Sequence, residues 1–390
     1  MNEASATPAV KAVLFLSHQL HLGGVATHMH ALGRGLIERG VKVGVVAREM
    51  NDGAQFGRAY FESAGITPIQ CDFFAYGLSP ANVRKTITSV KRLRSICRDF
   101  GADVLHVHAP TLCLAARGTG LPYLTTFNIA VTGRNKIRVA RAVNKLTGTA
   151  FGQFSIAISN ELKKNLTDDL RIPAERVRRA TYTIDDDAFS PATPDERTAA
   201  RRQFGLDDED FVVCMVASLE ERKNHPLLLD AMAALPAGTR PIKAILAGSG
   251  WGDHVPNLLK GIADRGLNGR VLYLGQQPAR PVYHASDAYV LPSFQEGFPL
   301  STVEAMLSRV VPIRTPSEGA AEQIIDGQTG FIVPFGEPAV LAQRLRRLAD
   351  DDSHCQTMAD ATLADARQRF SRQRMADEIL ALYATAARRG

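Results

Sequence analysis

The sequence has no uninterrupted run of about 18 apolar residues, so no membrane-spanning helix is expected. Residues 1–10 carry Glu3 and no apolar stretch before Lys11, which argues against a secretory signal. Cysteine is sparse. Cys71, Cys97, Cys113, Cys214 and Cys355 are isolated, odd in number and without a Cys-x-x-Cys pair. They read as small buried residues in a reducing compartment, so the cytoplasm is the expected location. No cluster of His, Cys and Asp has metal-ligand spacing, and neither a metal nor another cofactor is expected. Gly-x-Gly-x-x-Gly is also missing where a nicotinamide-binding turn would need it, which weakens a dehydrogenase reading.

What is present suits a globular enzyme. At 390 residues, with 45% hydrophobic and 22% charged residues, two domains of similar size are the natural division. The charge of +6 is unevenly placed. Residues 1–190 hold 24 Lys+Arg against 15 Asp+Glu, and the remainder 22 against 25, so the two halves are expected to meet different partners.

The chain is organised around residues 287–306, DAYVLPSFQEGFPLSTVEAM. A buried strand at 288–291 breaks at Pro292 and Ser293; a short loop carries Glu296 and Gly297, and a helix runs from about Leu300 to Met306. A helix start offers unpaired N–H groups and a positive dipole end, which suits an anion such as a diphosphate. Carboxylates there repel phosphate and fit sugar and ribose hydroxyls instead. Taken alone, Glu296 and Glu304 read more readily as a dipole-favouring start and a solvated helix face.

Elsewhere the pattern is strand, turn, helix, strand. KAVLFL (11–16), ended by Ser17 and His18, leads to Gly23-Gly24 and a helix closed by Gly40, a βαβ unit. A strand at 102–110 carries His106 and His108 on one face, where packing competes with catalysis. LPYLTTFNIA (121–130) and FSIAISN (154–160) are further strands. SPATPDER (190–197) reads as an interdomain hinge, and the acidic run Asp185-Asp186-Asp187 before it as solvated linker rather than a metal site. The second half repeats the logic. DFVVCMVASLEERKNHPLLLDAM (210–232) reads as strand, loop and helix, with Ser218, Arg222 and Lys223 in the loop; IKAILAGSGW and RVLYLGQQP end in glycine turns at Gly248 and Gly275-Gln276-Gln277.

These motifs resemble the retaining glycosyltransferases of the GT-B fold, family 4 in particular. Glu296 and Glu304 match the Glu-x7-Glu signature in EGFPLSTVEAM. Gly23 and Gly24 match the loop facing the donor phosphates. Asp185 and Phe189 keep the spacing of the crossing into the second domain, with Tyr182-Thr183 in place of Asn-Gly. Lys223 keeps the position of a diphosphate lysine, while Ser218 stands where relatives carry Arg, so Arg222 is a candidate substitute. Asn128 stands where many relatives carry His, which leaves the donor sugar open. Glu322 falls at a family position too.

The resemblance implies an α/β fold of two Rossmann-like, doubly wound domains facing across a cleft. Residues 1–188, with a final helix at about 371–390, would bind the acceptor and residues 189–370 the nucleotide-sugar. The implied catalytic residues are Glu296, Lys223, Asn128 and His108. The implied donor site is Gly23, Gly24, Ser218, Arg222, Lys223, Gly275, Gln276, Glu296, Gly297, Phe298, Pro299, Leu300 and Glu304. The expected reaction moves a sugar from a nucleoside diphosphate sugar, UDP favoured, to a hydroxyl of a glycan, glycolipid or lipid-linked acceptor. Rival readings are a nucleotide-sugar epimerase of the same architecture and a catalytically reduced sugar-nucleotide-binding protein. Two basic amphipathic stretches, 83–100 and 133–148, read as core-packed helices with solvated faces or as contacts to an anionic membrane at the inner face. No nucleic-acid module accompanies the charge, and nucleic acid is not expected.

Overall fold

A computed structural model describes residues 10–20, 23–50, 57–71, 80–147, 150–180, 182, 184–236 and 238–388. Thr183, residues 1–9 and the side chains of Val83–Ile87, Arg134, Lys136, Val143 and Leu146 lie outside the described residues.

The chain divides into two units, Met1–Asp185 with Ser371–Gly390, and Asp186–Phe370. Among its described residues the first holds seven parallel strands: β1 (Ala12–Leu20), β2 (Lys42–Met50), β3 (Thr67–Gln70), β4 (Val104–Val107), β5 (Tyr123–Phe127), β6 (Phe154–Ala157) and β7 (Val177–Arg179), in spatial order β3-β2-β1-β4-β5-β6-β7. The second holds six: β8 (Phe211–Val216), β9 (Ile242–Ala247), β10 (Val271–Gly275), β11 (Ala288–Leu291), β12 (Val311–Arg314) and β13 (Phe331–Ile332), in order β10-β9-β8-β11-β12-β13. Every pairing is parallel, so the strands are covered on both faces and read as short apolar runs. In each sheet the order reverses once, between β1 and β4 and between β8 and β11. Open parallel sheets bind ligands at the carboxyl ends beside such a reversal.

Three expectations change. β1 continues past Ser17 and His18 to Leu20, because its pairing with β2 persists to Leu20 opposite Met50. SPATPDER is not the crossing between units. Thr193 and Glu196 form a capping box and Pro194 takes the first turn, so this segment starts the helix Pro194–Gln203 inside the second unit. Asp185 is not solvated either. It accepts from Arg34 Nη1 at 2.7 and 2.9 Å and pairs with Arg372, whose side chain is 3% exposed.

The helix Arg372–Ala387 packs on the helix Gly24–Ile37 and belongs to the first unit. The basic helix Pro80–Phe100 buries Leu93, Cys97 and Phe100 and exposes Lys91, Arg92, Arg94 and Arg98, the core-packed arrangement with a cationic outer face. The five cysteines are free and buried.

Candidate active site

The strongest constellation lies at the carboxyl ends of β8, β11 and β12. After β8 the chain makes a single 3-10 turn, Glu221–Lys223, and Asn224 adopts a left-handed conformation (φ 54°) that launches the next helix. The Asn224 side-chain amide donates to the Pro292 carbonyl (3.2 Å), and Phe294 N–H donates to the Arg222 carbonyl (2.8 Å). These bonds join the lysine turn to the glutamate loop. Lys223 Nζ accordingly reaches Glu296 Oε1 at 2.6 Å, with side-chain exposures of 11% and 6%. Arg222 approaches the other carboxylate oxygen at 3.4 Å and holds Glu220 at 2.6 Å; Ser218 Oγ donates to the same Glu220 carboxylate at 2.6 Å. Burial pulls the Lys223 pKa down, opposed by the Glu296 charge.

The glutamate loop is suspended from the segment after β12 at three points. Thr315 Oγ1 donates to Ser293 O (2.6 Å), Glu296 N–H to Glu318 Oε2 (3.1 Å), and Gln323 Nε2 to Pro299 O (2.9 Å). Gln323 is held by Arg314, a fully buried guanidinium that also donates to Ser317 Oγ and Glu318 O, both at 3.1 Å. Burial lowers its pKa to about 10, with the Glu296 carboxylate acting in the opposite direction. At Gly319 (φ 75°) a Cβ would stand 2.6 Å from Gly297 O, so this glycine lets the two loops of the cradle touch.

The helix Leu300–Leu307 begins at this loop with Pro299 as its cap and no side-chain capping bond. The backbone N–H groups of Gly297, Phe298, Leu300 and Ser301 donate to no described residue. Unspent amides at a helix start, beside Lys223 and Arg222, are groups whose chemistry suits an anion. Glu304 sits a turn further on. Its partly buried carboxylate accepts from Tyr283 OH (3.0 Å), and desolvation raises its pKa to about 7 despite that bond. Gly275 ends β10 with φ 69° and Gln276 beside it is exposed.

In the first unit, Gly23 and Gly24 open the helix Gly24–Ile37. His106 and His108 stand together, ring centroids 4.1 Å apart. His106 bonds Tyr383 and Thr126, both at 2.7 Å. His108 is 2% exposed among Phe15, His28 and His106, neither ring nitrogen has a partner, and burial holds its pKa well below normal. Asn128 is tied at both ends, donating to His108 O (3.0 Å) and accepting from Tyr182 OH. Tyr182 in turn stacks on His28 at 4.1 Å.

Thus Ser218, Arg222, Lys223, Glu296, Gly297, Phe298, Pro299, Leu300 and Glu304 share one unit and adjoining loops, while Gly23, Gly24, His108 and Asn128 belong to the other. Sequence reasoning missed Arg314, Glu318, Gln323 and Tyr283. Arg314 ends an apolar strand and had no visible partner, and Gln323 and Tyr283 meet the loop only through the fold.

The family model described as Glycosyltransferase Family 4 matches residues 22–187, and the one described as Glycosyl transferases group 1 matches residues 196–365, so together they span most of the chain. This chain belongs to the family 4/group 1 glycosyltransferases. Among the curated relatives of this glycosyltransferase, alpha-D-kanosaminyltransferase of Streptomyces kanamyceticus is 26% identical over 91% of this chain and 99% of its own. Putative glycosyltransferase EpsD of Bacillus subtilis is 27% identical over 51% of this chain and 52% of its own; several other relatives are likewise matched over about half their length. Anabaena HepE, solved in complex with UDP and glucose, shares the fold at TM-score 0.80 and 21% identity, covering 96% of this chain and 100% of that one. A glycosyltransferase from Rickettsia africae does so at TM-score 0.83 and 18% identity, covering 98% and 100%.

Proposed function

We propose that this glycosyltransferase moves a sugar from UDP to a hydroxyl of a glycan, glycolipid or lipid-linked acceptor, with retention at the anomeric carbon. The observation that carries this is the row of unspent amides from Gly297 to Ser301 beside Lys223 and Arg222. In the reaction, the bond from the anomeric carbon to the diphosphate oxygen breaks, a bond to the acceptor oxygen forms, and the hydroxyl proton leaves with the diphosphate. Negative charge grows on the departing diphosphate, where preorganised donors count most. Lys223 and the amides meet that charge, with Arg222 in place of the arginine that Ser218 replaces. Glu296 releases Lys223 to the diphosphate and takes hydroxyls of the transferred sugar; Glu304 takes the ribose. The cations and amides provide this charge without calling on a metal.

Gly275 and Gln276 supply backbone groups to the base. Gly23 and Gly24 lie in the first unit, to which acceptor binding falls. Asn128 and His108 serve there through a fixed hydrogen bond and a neutral imidazole. The UDP and glucose bound by HepE, and the sugar-transferring names of the curated relatives, support this choice over an epimerase or a binding protein. Cytoplasmic residence, with the exposed basic face of Pro80–Phe100 against an anionic membrane, belongs to the same proposal. It is tested by UDP release from UDP-sugars with EDTA present, supplied with glycan and lipid-linked acceptors. The wild type should turn over and Glu296→Gln should lose most of kcat; equal rates in both would remove Glu296 from the site.

A further inference from the structure

The turn that carries Lys223 has a second side. Between it and the helix His254–Asp264 lies a cavity of about 510 Å³, within the size range of small-ligand sites. Leu219, Leu229 and Leu258 form an apolar floor, and Phe294, Glu221 and Asn257 stand at the mouth. His225 lines this space at 7% exposure and makes no hydrogen bond to any described residue. The ring therefore presents one donor and one acceptor to whatever enters the space.

The chemistry of the wall narrows that occupant. Burial, with Lys223 adding to it, lowers the His225 pKa to about 4, so the ring is neutral, with one donor and one acceptor. Glu220 is engaged by Arg222, and Arg265 by Asp230 at 2.7 Å. Of the lining carboxylates and guanidinium, Glu221 has no counter-ion among the described residues, and it opposes phosphate. Two imidazoles, His225 and His254, with a side-chain amide and a carboxylate around an apolar floor and an aromatic edge, match a pyranose. Its hydroxyls need donors and acceptors, and its C–H face needs an apolar surface.

We propose that this cavity is a second carbohydrate subsite that holds a neutral hexopyranose ring, separated from the Lys223–Glu296 pair by the turn Glu220–Asn224. It stands apart from the transfer reading, because the groups offered to the sugar, His225, His254, Asn257 and Glu221, have no part in the donor site proposed above.

The test uses the full chain. The imidazole Cε1–H resonance of His225, assigned by its loss in His225→Gln, is followed while methyl glycosides of glucose, galactose, mannose and N-acetylglucosamine are added in turn. Phosphate and UDP are titrated in parallel. At least one glycoside should give a saturable shift in the millimolar range. Asn257→Trp, which fills the mouth from an exposed helix position, should abolish that shift and leave donor turnover unchanged. Saturation transfer to the glycoside protons, wild type against Asn257→Trp, reads the same occupancy should His225→Gln fail to fold. No response to any glycoside, a response to phosphate or UDP alone, or one that survives Asn257→Trp overturns the proposal. Glycoside binding without any sugar transfer would uphold the subsite and reject the transferase reading.

Discussion

Glu304→Gln should stabilise the ligand-free protein while weakening it as an enzyme. The Glu304 carboxyl has a folded pKa of about 7 against an ordinary value of 4.5, because burial disfavours its charge. The folded state therefore holds a proton that the unfolded chain releases. The penalty is absent below the unfolded value, grows as pH rises, and is complete above the folded one. At about 1.4 kcal/mol per pKa unit, and reduced for partial exposure, it amounts to roughly 2–3 kcal/mol at pH 8. Gln keeps the shape and an oxygen for Tyr283 without the charge. At about 2–4 °C per kcal/mol for a unit of this size, its melting temperature at pH 8 should exceed wild type by roughly 5–10 °C. The two should converge as pH falls below about 5. Donor affinity should fall about 10- to 100-fold, the loss of one charge-assisted bond. Differential scanning calorimetry from pH 4 to 9 reads the first effect. A variant less stable than wild type at pH 8, or a pH-independent difference, would refute the account of Glu304.

Three further substitutions probe the surroundings. Lys223→Met leaves the buried Glu296 carboxylate with Arg222 as its remaining ion-pair partner; it should cost about 1–3 kcal/mol in urea unfolding and about 100-fold or more in kcat. Gly319→Ala adds a Cβ 2.6 Å from Gly297 O as well as left-handed strain, whereas Gly327→Ala, at φ 74° with open space around it, adds strain only. Gly319→Ala should therefore be the more destabilising and alone should raise KM for the donor; equal effects in both assays would deny the cradle its contact. Asp185→Asn leaves the buried Arg372 short of a counter-charge and should destabilise the first unit by about 2–4 kcal/mol, little altered by added salt, in chemical denaturation.

The sequence made the alternation of strands and helices legible because parallel strands buried on both faces leave short apolar runs punctuated by glycine. The Glu296–Glu304 stretch and Lys223 stood out by motif. Their pairing did not, since 73 positions separate Lys223 from Glu296 and only the adjacency of β8 and β11 closes that gap. Asp185 looked like one of three linker acids because its partners, Arg34 and Arg372, lie at sequence distances no local pattern spans. Arg314 was hidden by its setting: an arginine closing the run Val311–Ile313 has no local sign of the Gln323 and Ser317 that hold it. SPATPDER misled because proline and a capping box use the same residues as a hinge.

The central claim is that the amides at Gly297–Ser301, with Lys223, hold a nucleoside diphosphate sugar. The most direct measurement is the melting temperature of the purified protein with UDP-, GDP-, ADP- and dTDP-sugars, with EDTA present throughout. Ligand held well above its dissociation constant stabilises the folded state by mass action. The account predicts a clear rise with UDP-sugars, retained in EDTA and lost in Lys223→Met. No rise with any of the four, or a rise undiminished in Lys223→Met, would contradict it.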